Sequence, residues 1–357
     1  MEPNLVILFG ALALWSAGFL LLGRLRPCPL AALPHNAEGL LKRPNLPVSV
    51  IIPARNEEHN LPALLQSLAS QPVKPHEILV VDDGSTDRTA EVARQLGATV
   101  ITSQPLPDGW RGKTWACHQG AQSATGDLLL FVDADTWFEP DGFANILSGY
   151  TGGAFSVGPY HAVRKPYEQL SLFFNLNMTV ATVPHGLFGQ MLLVDRKSYQ
   201  HVGGHQAVQG RILENFSLAS QFSAADIPVR SVTGRGVFSF RMYPNGLREL
   251  IEGWTKGFAS GAGQTPRGTM FLIVMWLTGL MLPPLCGLMT GDWLRWSAVY
   301  LLCAAQVAWF SRQVGAFRWF SALLYHLPLI FFFGVFAWSL ARSGRRVSWK
   351  GREIYAD

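Results

Sequence analysis

Two carboxylates one residue apart, Asp133 and Asp135, close the run Gly126-Asp-Leu-Leu-Leu-Phe-Val-Asp-Ala-Asp135. Oxygen donors at that spacing can hold a hard divalent cation, Mg²⁺ or Mn²⁺, which usually completes its shell with water and substrate phosphate. The same Asp-x-Asp also occurs as a plain surface turn, since short motifs match by chance. A second acidic cluster, Asp82-Asp83-Gly-Ser-Thr-Asp87, offers Asp83 as acceptor for a nucleobase N–H or a ribose hydroxyl. Read locally, that cluster is a favourable turn and helix cap, and Asp82 or Ser85 can cap while Asp83 binds. Gly112-Lys113, just ahead of a helical stretch, can bring an ammonium to a diphosphate, although it does not complete a Walker loop. The alternative is a solvated loop lysine.

These groups do chemistry together only if strands carry them to one rim. Residues 128–132 form an uninterrupted apolar run, the pattern of a central strand covered on both faces. Asp133 and Asp135 then fall at its carboxyl end, where open α/β sheets keep their ligand crevices. Residues 48–52 and 77–81 also read as strands, each ended by a polar turn, with helical spacing following over 61–68 and 89–96 and a third strand over 98–102. Strand, polar turn and helix in repetition predict right-handed βαβ units and an α/β fold with a mixed, mostly parallel sheet.

The 357 residues leave room beyond such a domain, and the surplus is apolar: 49% hydrophobic residues, 15% charged, 12 Trp and 22 Phe, with a mean hydropathy of +0.18. This composition predicts membrane segments. The net charge of +5 comes from basic residues scattered along the chain or set beside apolar runs. That distribution fits anionic lipid and argues against nucleic acid as a partner. Cys28, Cys117, Cys286 and Cys303 have neither zinc-site nor disulfide-framework spacing. Residues 4–23 are uncharged and precede Arg24 and Arg26, the charge order of a retained anchor whose carboxyl side is cytoplasmic rather than of a cleaved signal peptide. We therefore expect an anchor over 1–23, a proline-rich linker over 24–46, the α/β domain over 47–263, an apolar transmembrane region over 264–341 and a basic tail over 342–357. Residues 269–290 and 319–340 are long enough to span, whereas 294–310 is shorter and carries Arg295. Three crossings after a cytoplasmic domain would strand Arg342, Arg345, Arg346, Lys350 and Arg352 outside. The tail is thus expected in the cytoplasm, with 294–310 or the Pro283-Pro284 helix re-entrant or interfacial. The whole predicts a multi-pass protein of the cell membrane.

Four motifs carry a specific likeness. Val48-Ser-Val-Ile-Ile-Pro-Ala-Arg-Asn-Glu-Glu58, Val80-Val-Asp-Asp-Gly-Ser-Thr-Asp87, Gly112-Lys113 with Ala116, and Asp133-Ala-Asp135 stand in the order and spacing of the family 2 inverting glycosyltransferases with the GT-A fold, which the chain resembles over residues 48–135. The resemblance implies a UDP-sugar donor held by Pro53, Arg55, Glu57, Asp83 and Lys113. It also implies Mg²⁺ or Mn²⁺ on Asp133 and Asp135, and a catalytic part for Asp135. The family's base is usually the Asp of a Glu-Asp pair before a helix, but here Glu214 is followed by Asn215, and an amide cannot take a proton. Three outcomes are open: Glu214 takes over, the acceptor is a carboxylate already ionised at neutral pH, or the protein is inactive.

Gly158-Pro-Tyr-His161, residues 166–175, Gly109-Trp110 and Trp115-Ala-Cys117 resemble the branch of that family acting on C30 carotenoid acids, which implies transfer, most simply of glucose, to a lipid acceptor. Hopanoid, ceramide-like, polyprenyl-phosphate or short polysaccharide acceptors, and a non-catalytic membrane scaffold, are the alternatives. Residues 170–194 are apolar but interrupted by Asn175, Asn177, Pro184 and His185. They suit a segment lying against the membrane beside the acceptor's opening, or else an amphipathic core helix. Gly203-Gly204-His205 resembles the family's acceptor loop. Arg241 and Lys256 are candidates for phosphate, and Trp254 for stacking on sugar or acceptor, with an interfacial anchor as the other reading.

Overall fold

The computed structural model describes residues 3–30, 47–211, 213–342, 346–349 and 352–355. The apolar runs separated by polar turns become strands β1 (Val48–Ala54), β2 (Glu77–Asp82), β3 (Thr99–Thr102), β4 (Leu128–Val132), β5 (Thr136–Phe138), β6 (Ala154–Gly158), β7 (Tyr160–His161), β8 (Met191–Asp195), β9 (Val229–Thr233) and β10 (Phe238–Phe240). A seven-stranded sheet runs in the order β3-β2-β1-β4-β8-β6-β9. β1 pairs in parallel with β2 and β4, β2 with β3, and β6 with β9, while β8 lies antiparallel between β4 and β6. Side chains alternate across the strands. Val50 and Ile52 of β1 face one core with Leu61, Leu64, Leu65 and Leu68, and Ile51 faces the other with Ala116 and Cys117. A short sheet of β5, β10 and β7 stands beside the carboxyl end of β4.

The helices are α1 (Pro3–Leu22), α2 (Leu61–Ser70), α3 (Thr89–Gln95), α4 (Gly112–Ser123), α5 (Gly142–Gly149), α6 (Leu172–Thr182), α7 (Arg196–His201), α8 (Glu214–Ala224), α9 (Leu247–Gln264), α10 (Arg267–Thr290), α11 (Trp293–Val314), α12 (Trp319–Leu323) and α13 (His326–Arg342). Among the described residues two are long and apolar enough to cross a membrane, α1 over Leu5–Leu22 and α10. They pack antiparallel: Arg24 Nη1 donates to Thr269 Oγ1 at 3.2 Å at one end, and Leu14 and Trp15 pass over Gly279. A Cβ on Gly279 would stand 2.4 Å from the Trp15 backbone nitrogen, so only glycine permits this approach.

The apolar helices share a core with the α/β domain. Phe173, Phe174 and Leu176 of α6 and Leu250 and Trp254 of α9 cluster with Trp276, Leu280, Val307, Tyr325 and Phe332. Polar contacts fix the junction. Gln169 Oε1 accepts from Arg318 N at 3.0 Å and from Ser321 Oγ at 2.6 Å, Ala316 N donates to His161 O at 2.8 Å, and Ser339 Oγ donates to Thr255 O at 2.8 Å. Cys28 N donates to Thr233 O and Thr233 N to Arg26 O, both at 2.8 Å, so the chain leaving α1 docks on edge strand β9.

Two expectations change. Residues 319–340 do not form one spanning helix: α12 ends at Leu323, and Tyr325 between the pieces is buried, its hydroxyl donating to Leu280 O at 2.9 Å. Residues 172–182 are not a surface segment either, since α6 buries Leu172 through Asn177, with Asn175 Nδ2 and Asn177 Nδ2 bonded to the Ser171 and Phe173 carbonyls four residues back. Those back-bonds let polar side chains sit inside an apolar bundle.

Candidate active site

Lys113, in the first turn of α4, is the centre of the polar cluster. Its Nζ lies 2.7 Å from Asp133 Oδ1 and 3.1 Å from Glu214 Oε1, and donates to Gly189 O at 2.8 Å. Three elements converge here: Asp133 ends β4, Gly189 precedes β8, and Glu214 opens α8. Asp133 N donates to Gln190 O at 3.0 Å, tying the β4 tip to that loop. Thr114 Oγ1 and Arg111 N both donate to Gln209 O, at 2.7 and 3.0 Å, and Arg111 Nε donates to Gly210 O at 2.8 Å, so the loop before α8 holds the start of α4.

Burial opposes the charge on Lys113, but Asp133 and then Glu214 outweigh it and hold the ammonium above the usual lysine range. Beneath it, His205 is buried, with Tyr199 Oη 2.8 Å from its Nδ1. Burial, then the charge of Lys113, pushes its pKa down to about 3, so the ring is neutral. Cys117 also lines the cleft, but burial pushes its thiol up despite the opposing pull of Lys113, which removes it as a nucleophile.

Pro53, Lys113, Asp133, Gly189, His205, Glu214 and Asn215 all line this cleft. Its closed space is only about 10 Å³, and Lys113 bridges two of its walls from Asp133 to Glu214. The nucleoside candidates sit on the neighbouring strand tips. Asp83 N donates to Ala54 O at 2.9 Å and Arg55 Nη1 to Asp83 O at 2.5 Å, so β1 and β2 end together. Asp82 Oδ1 accepts from Ser85 N at 3.0 Å and caps the turn, while Asp83 is 8% exposed beside it. Glu57 N donates to Thr89 Oγ1 at 2.8 Å, and Glu57 Oε2 accepts from Asn60 Nδ2 at 2.8 Å. Arg55, Glu57, Asp83 and Asp135 border the cleft along the chain but are not among its lining residues. Among the described residues no group of three His, Cys, Asp or Glu side chains is placed to hold a metal. Asp133 and Asp135 are a two-carboxylate oxygen set, which fits a hard cation that takes its remaining ligands from substrate phosphate and water.

Glu214, Asn215 and Gly189 also line a second space, a cavity of about 380 Å³. Its walls come from α6, α9, α10 and α13, including Met178, Trp254, Ile273, Leu277 and Phe332. That volume is within the range of about 300–1,000 Å³ typical of small-molecule sites. Val274 and Phe333 line it and are 55% and 37% exposed, so it opens between α10 and α13 onto the apolar outer surface of the helices. Trp254 stacks on Phe174 with ring centroids 4.6 Å apart and donates from Nε1 to Ser171 Oγ at 3.2 Å; it is a cavity wall and not an interfacial anchor. Arg241 is not free for phosphate: its Nη2 lies 2.7 Å from Oε1 of the fully buried Glu168. The side chain of Lys256 lies outside the described residues. Sequence reasoning did not find Gln190 and Tyr243 on the cavity wall. Asn177 was visible only as a polar interruption of an apolar stretch.

The family model "Glycosyl transferase family 2" matches residues 49–202. The 4,4'-diaponeurosporenoate glycosyltransferase of Staphylococcus aureus (strain USA300) is 36% identical over 329 residues, 86% of this chain and 88% of that protein. The protein of the same name from Staphylococcus haemolyticus (strain JCSC1435) is 41% identical over 249 residues, 65% of this chain and 66% of that protein. Among solved structures, the mannosyltransferase PcManGT from Pyrobaculum calidifontis, in complex with GDP-Man and Mn²⁺, aligns over 94% of both chains with a TM-score of 0.50 and 19% identity, a likeness of fold. With its parallel β1–β4 core, its acidic strand tips and a relative matching nearly its whole length, the chain belongs to glycosyl transferase family 2.

Proposed function

We propose that this glycosyltransferase moves glucose from UDP-glucose to the carboxyl group of a membrane-dissolved carotenoid acid, with inversion at the anomeric carbon. The observation that carries the reading is the shared wall. Glu214 stands between the polar cleft at the strand tips and an apolar cavity open to the outer surface of the helices. The names of the two relatives supply the acceptor class.

Pro53, Arg55, Glu57 and Asp83 hold the nucleoside on the β1 and β2 tips, and the diphosphate lies over Lys113, whose ammonium is drawn from Glu214 toward phosphate. The acceptor's polyene tail lies between α10 and α13, which brings its head to Glu214. The head oxygen attacks the anomeric carbon as the bond from that carbon to the β-phosphate oxygen breaks; the bonding pair leaves with UDP and the acceptor proton passes to Glu214. Mg²⁺ or Mn²⁺ on Asp133 and Asp135 would supply charge neutralisation of the leaving diphosphate.

The contacts support a topology in which α1 and α10 cross the membrane, α11, less apolar than either, runs back from the far end of α10 to the domain, and α12–α13 dips in and returns. Gly315 and Arg318 touch the α/β domain, Tyr325 lies against Leu280, and Ser339 is back at Thr255. Leu280 is thirteen residues into α10, about 20 Å from its domain end at 1.5 Å per residue. The basic tail then emerges on the side of the domain and of Arg24 and Arg26, which is cytoplasmic. On this reading 319–342 is the re-entrant part, in preference to 294–310 or the Pro283-Pro284 helix.

The test is transfer of label from UDP-[¹⁴C]glucose in membranes supplied with 4,4'-diaponeurosporenoic acid. Label in a solvent-extractable, base-labile glycosyl ester, lost in Asp135→Ala, supports the reading. Label in a base-stable lipid would move the acceptor to a hydroxyl compound such as a hopanoid, and label in a water-soluble polymer would remove the lipid acceptor altogether.

A further inference from the structure

We infer that the acceptor's reactive group enters the cavity as a neutral hydrogen-bond donor, an alcohol or an un-ionised carboxylic acid, and that Asn177 is the residue that selects it. This rests on the apolar cavity being the acceptor chamber. Asn177 is 5% exposed and lines the cavity, and its Oδ1 has no hydrogen-bond partner among the described residues. The amide cannot turn to offer a donor instead, because Nδ2 already donates to Phe173 O at 2.7 Å. A buried acceptor left unmatched is costly, and a ligand hydroxyl recovers that cost. Gln190 Oε1, on the same wall, is a second buried acceptor without a partner.

Several donors around the cavity are already engaged, the amides through one of their two N–H groups. Asn215 Nδ2 donates to Phe188 O and Trp254 Nε1 to Ser171 Oγ. The three protons of Lys113 face Asp133, Glu214 and Gly189 O. The hydroxyls of Tyr243, Thr265 and Thr278 can act either way and do not decide the matter. An ionised carboxylate would meet the Glu214 carboxylate and the Asn177 and Gln190 oxygens, opposed only by the neutral N–H groups of the amides, whereas an O–H satisfies the Asn177 oxygen on entry.

Retinoic acid, retinol and methyl retinoate share one polyene chain and differ at the head, so they separate the possibilities. Binding to the purified full-length protein in detergent is read by quenching of tryptophan emission, for the wild type and Asn177→Leu. We expect retinol, and retinoic acid at pH 5, to bind the wild type about tenfold more tightly than the ester, the ratio for about 1.4 kcal/mol. The advantage of the acid should fade between pH 5 and 8 while that of retinol persists. Asn177→Leu should bind all three alike, with its ester affinity unchanged, which controls for folding. Equal binding of alcohol and ester to the wild type, or tighter binding of the acid at pH 8, overturns the inference and leaves the cavity an acceptor chamber. Failure of all three to bind overturns both.

Discussion

Asn215 donates from Nδ2 to the Phe188 carbonyl at 2.5 Å, in the loop that also presents Gly189 to Lys113. An Asp there would set a carboxylate oxygen against a carbonyl oxygen and lose the bond, so the residue expected to be the base is excluded by its own surroundings. We predict that Asn215→Asp lowers stability by about 1–3 kcal/mol and does not raise turnover, measured by thermal unfolding and transfer rate; a faster enzyme would return the base to that position. His205 gives a pH signature. It is neutral when folded, with a pKa near 3, but titrates near 6.5 when unfolded. The unfolded state thus binds more protons between those values, and stability is full above about pH 6.5 and falls by about 1.4 kcal/mol per pH unit below it. His205→Asn should flatten that part of the stability profile; an unchanged slope would contradict it. At this scale Asp133 and Lys113 were singled out by type and spacing, and Pro53 and Glu214 through the family resemblance, and the four line one cleft. Asn177 and Gln190 were not, since an amide in an apolar run shows nothing of the cavity until three other helices enclose it.

The local elements were readable where one strand and its following helix bury each other. β4 has its expected ends, and α2 and α3 start where their spacing begins. The antiparallel insertion of β8 between β4 and β6 was not readable, because its apolar run matches that of a parallel strand. Nor was the break at Leu324 and Tyr325: hydropathy alone counts 319–340 as one span, while the turn depends on Tyr325 reaching Leu280 O. The α1–α10 pair hangs on one small residue. Gly279→Leu should push a side chain into the Trp15 backbone, which cannot yield as a flexible side chain would. We expect a lower unfolding temperature in detergent with the isolated soluble-face chemistry retained, and an unchanged melting temperature would show that the two helices are not held so closely.

For the molecule as a whole, composition pointed to apolar segments and the strand–turn–helix pattern to a sheet, but neither told how the two join. The shared cluster of α6, α9, α10, α11 and α13 makes the apolar cavity, the proposed acceptor chamber, part of the same core that roots the α/β domain. The topology carries a prediction of its own: a single cysteine placed in the basic tail of a cysteine-free variant should react with an impermeant maleimide only after the membrane is opened from the cytoplasmic side. Reaction in intact cells would require another crossing.

Glu214 standing between two chambers is the claim on which the rest depends, and single-turnover transfer by Glu214→Gln, with UDP binding measured alongside, tests it most directly. We expect the rate to fall by about 10²–10⁴ while UDP affinity stays within a few-fold of wild type. A variant that transfers at the wild-type rate, or one whose loss is entirely a loss of UDP binding, would contradict it.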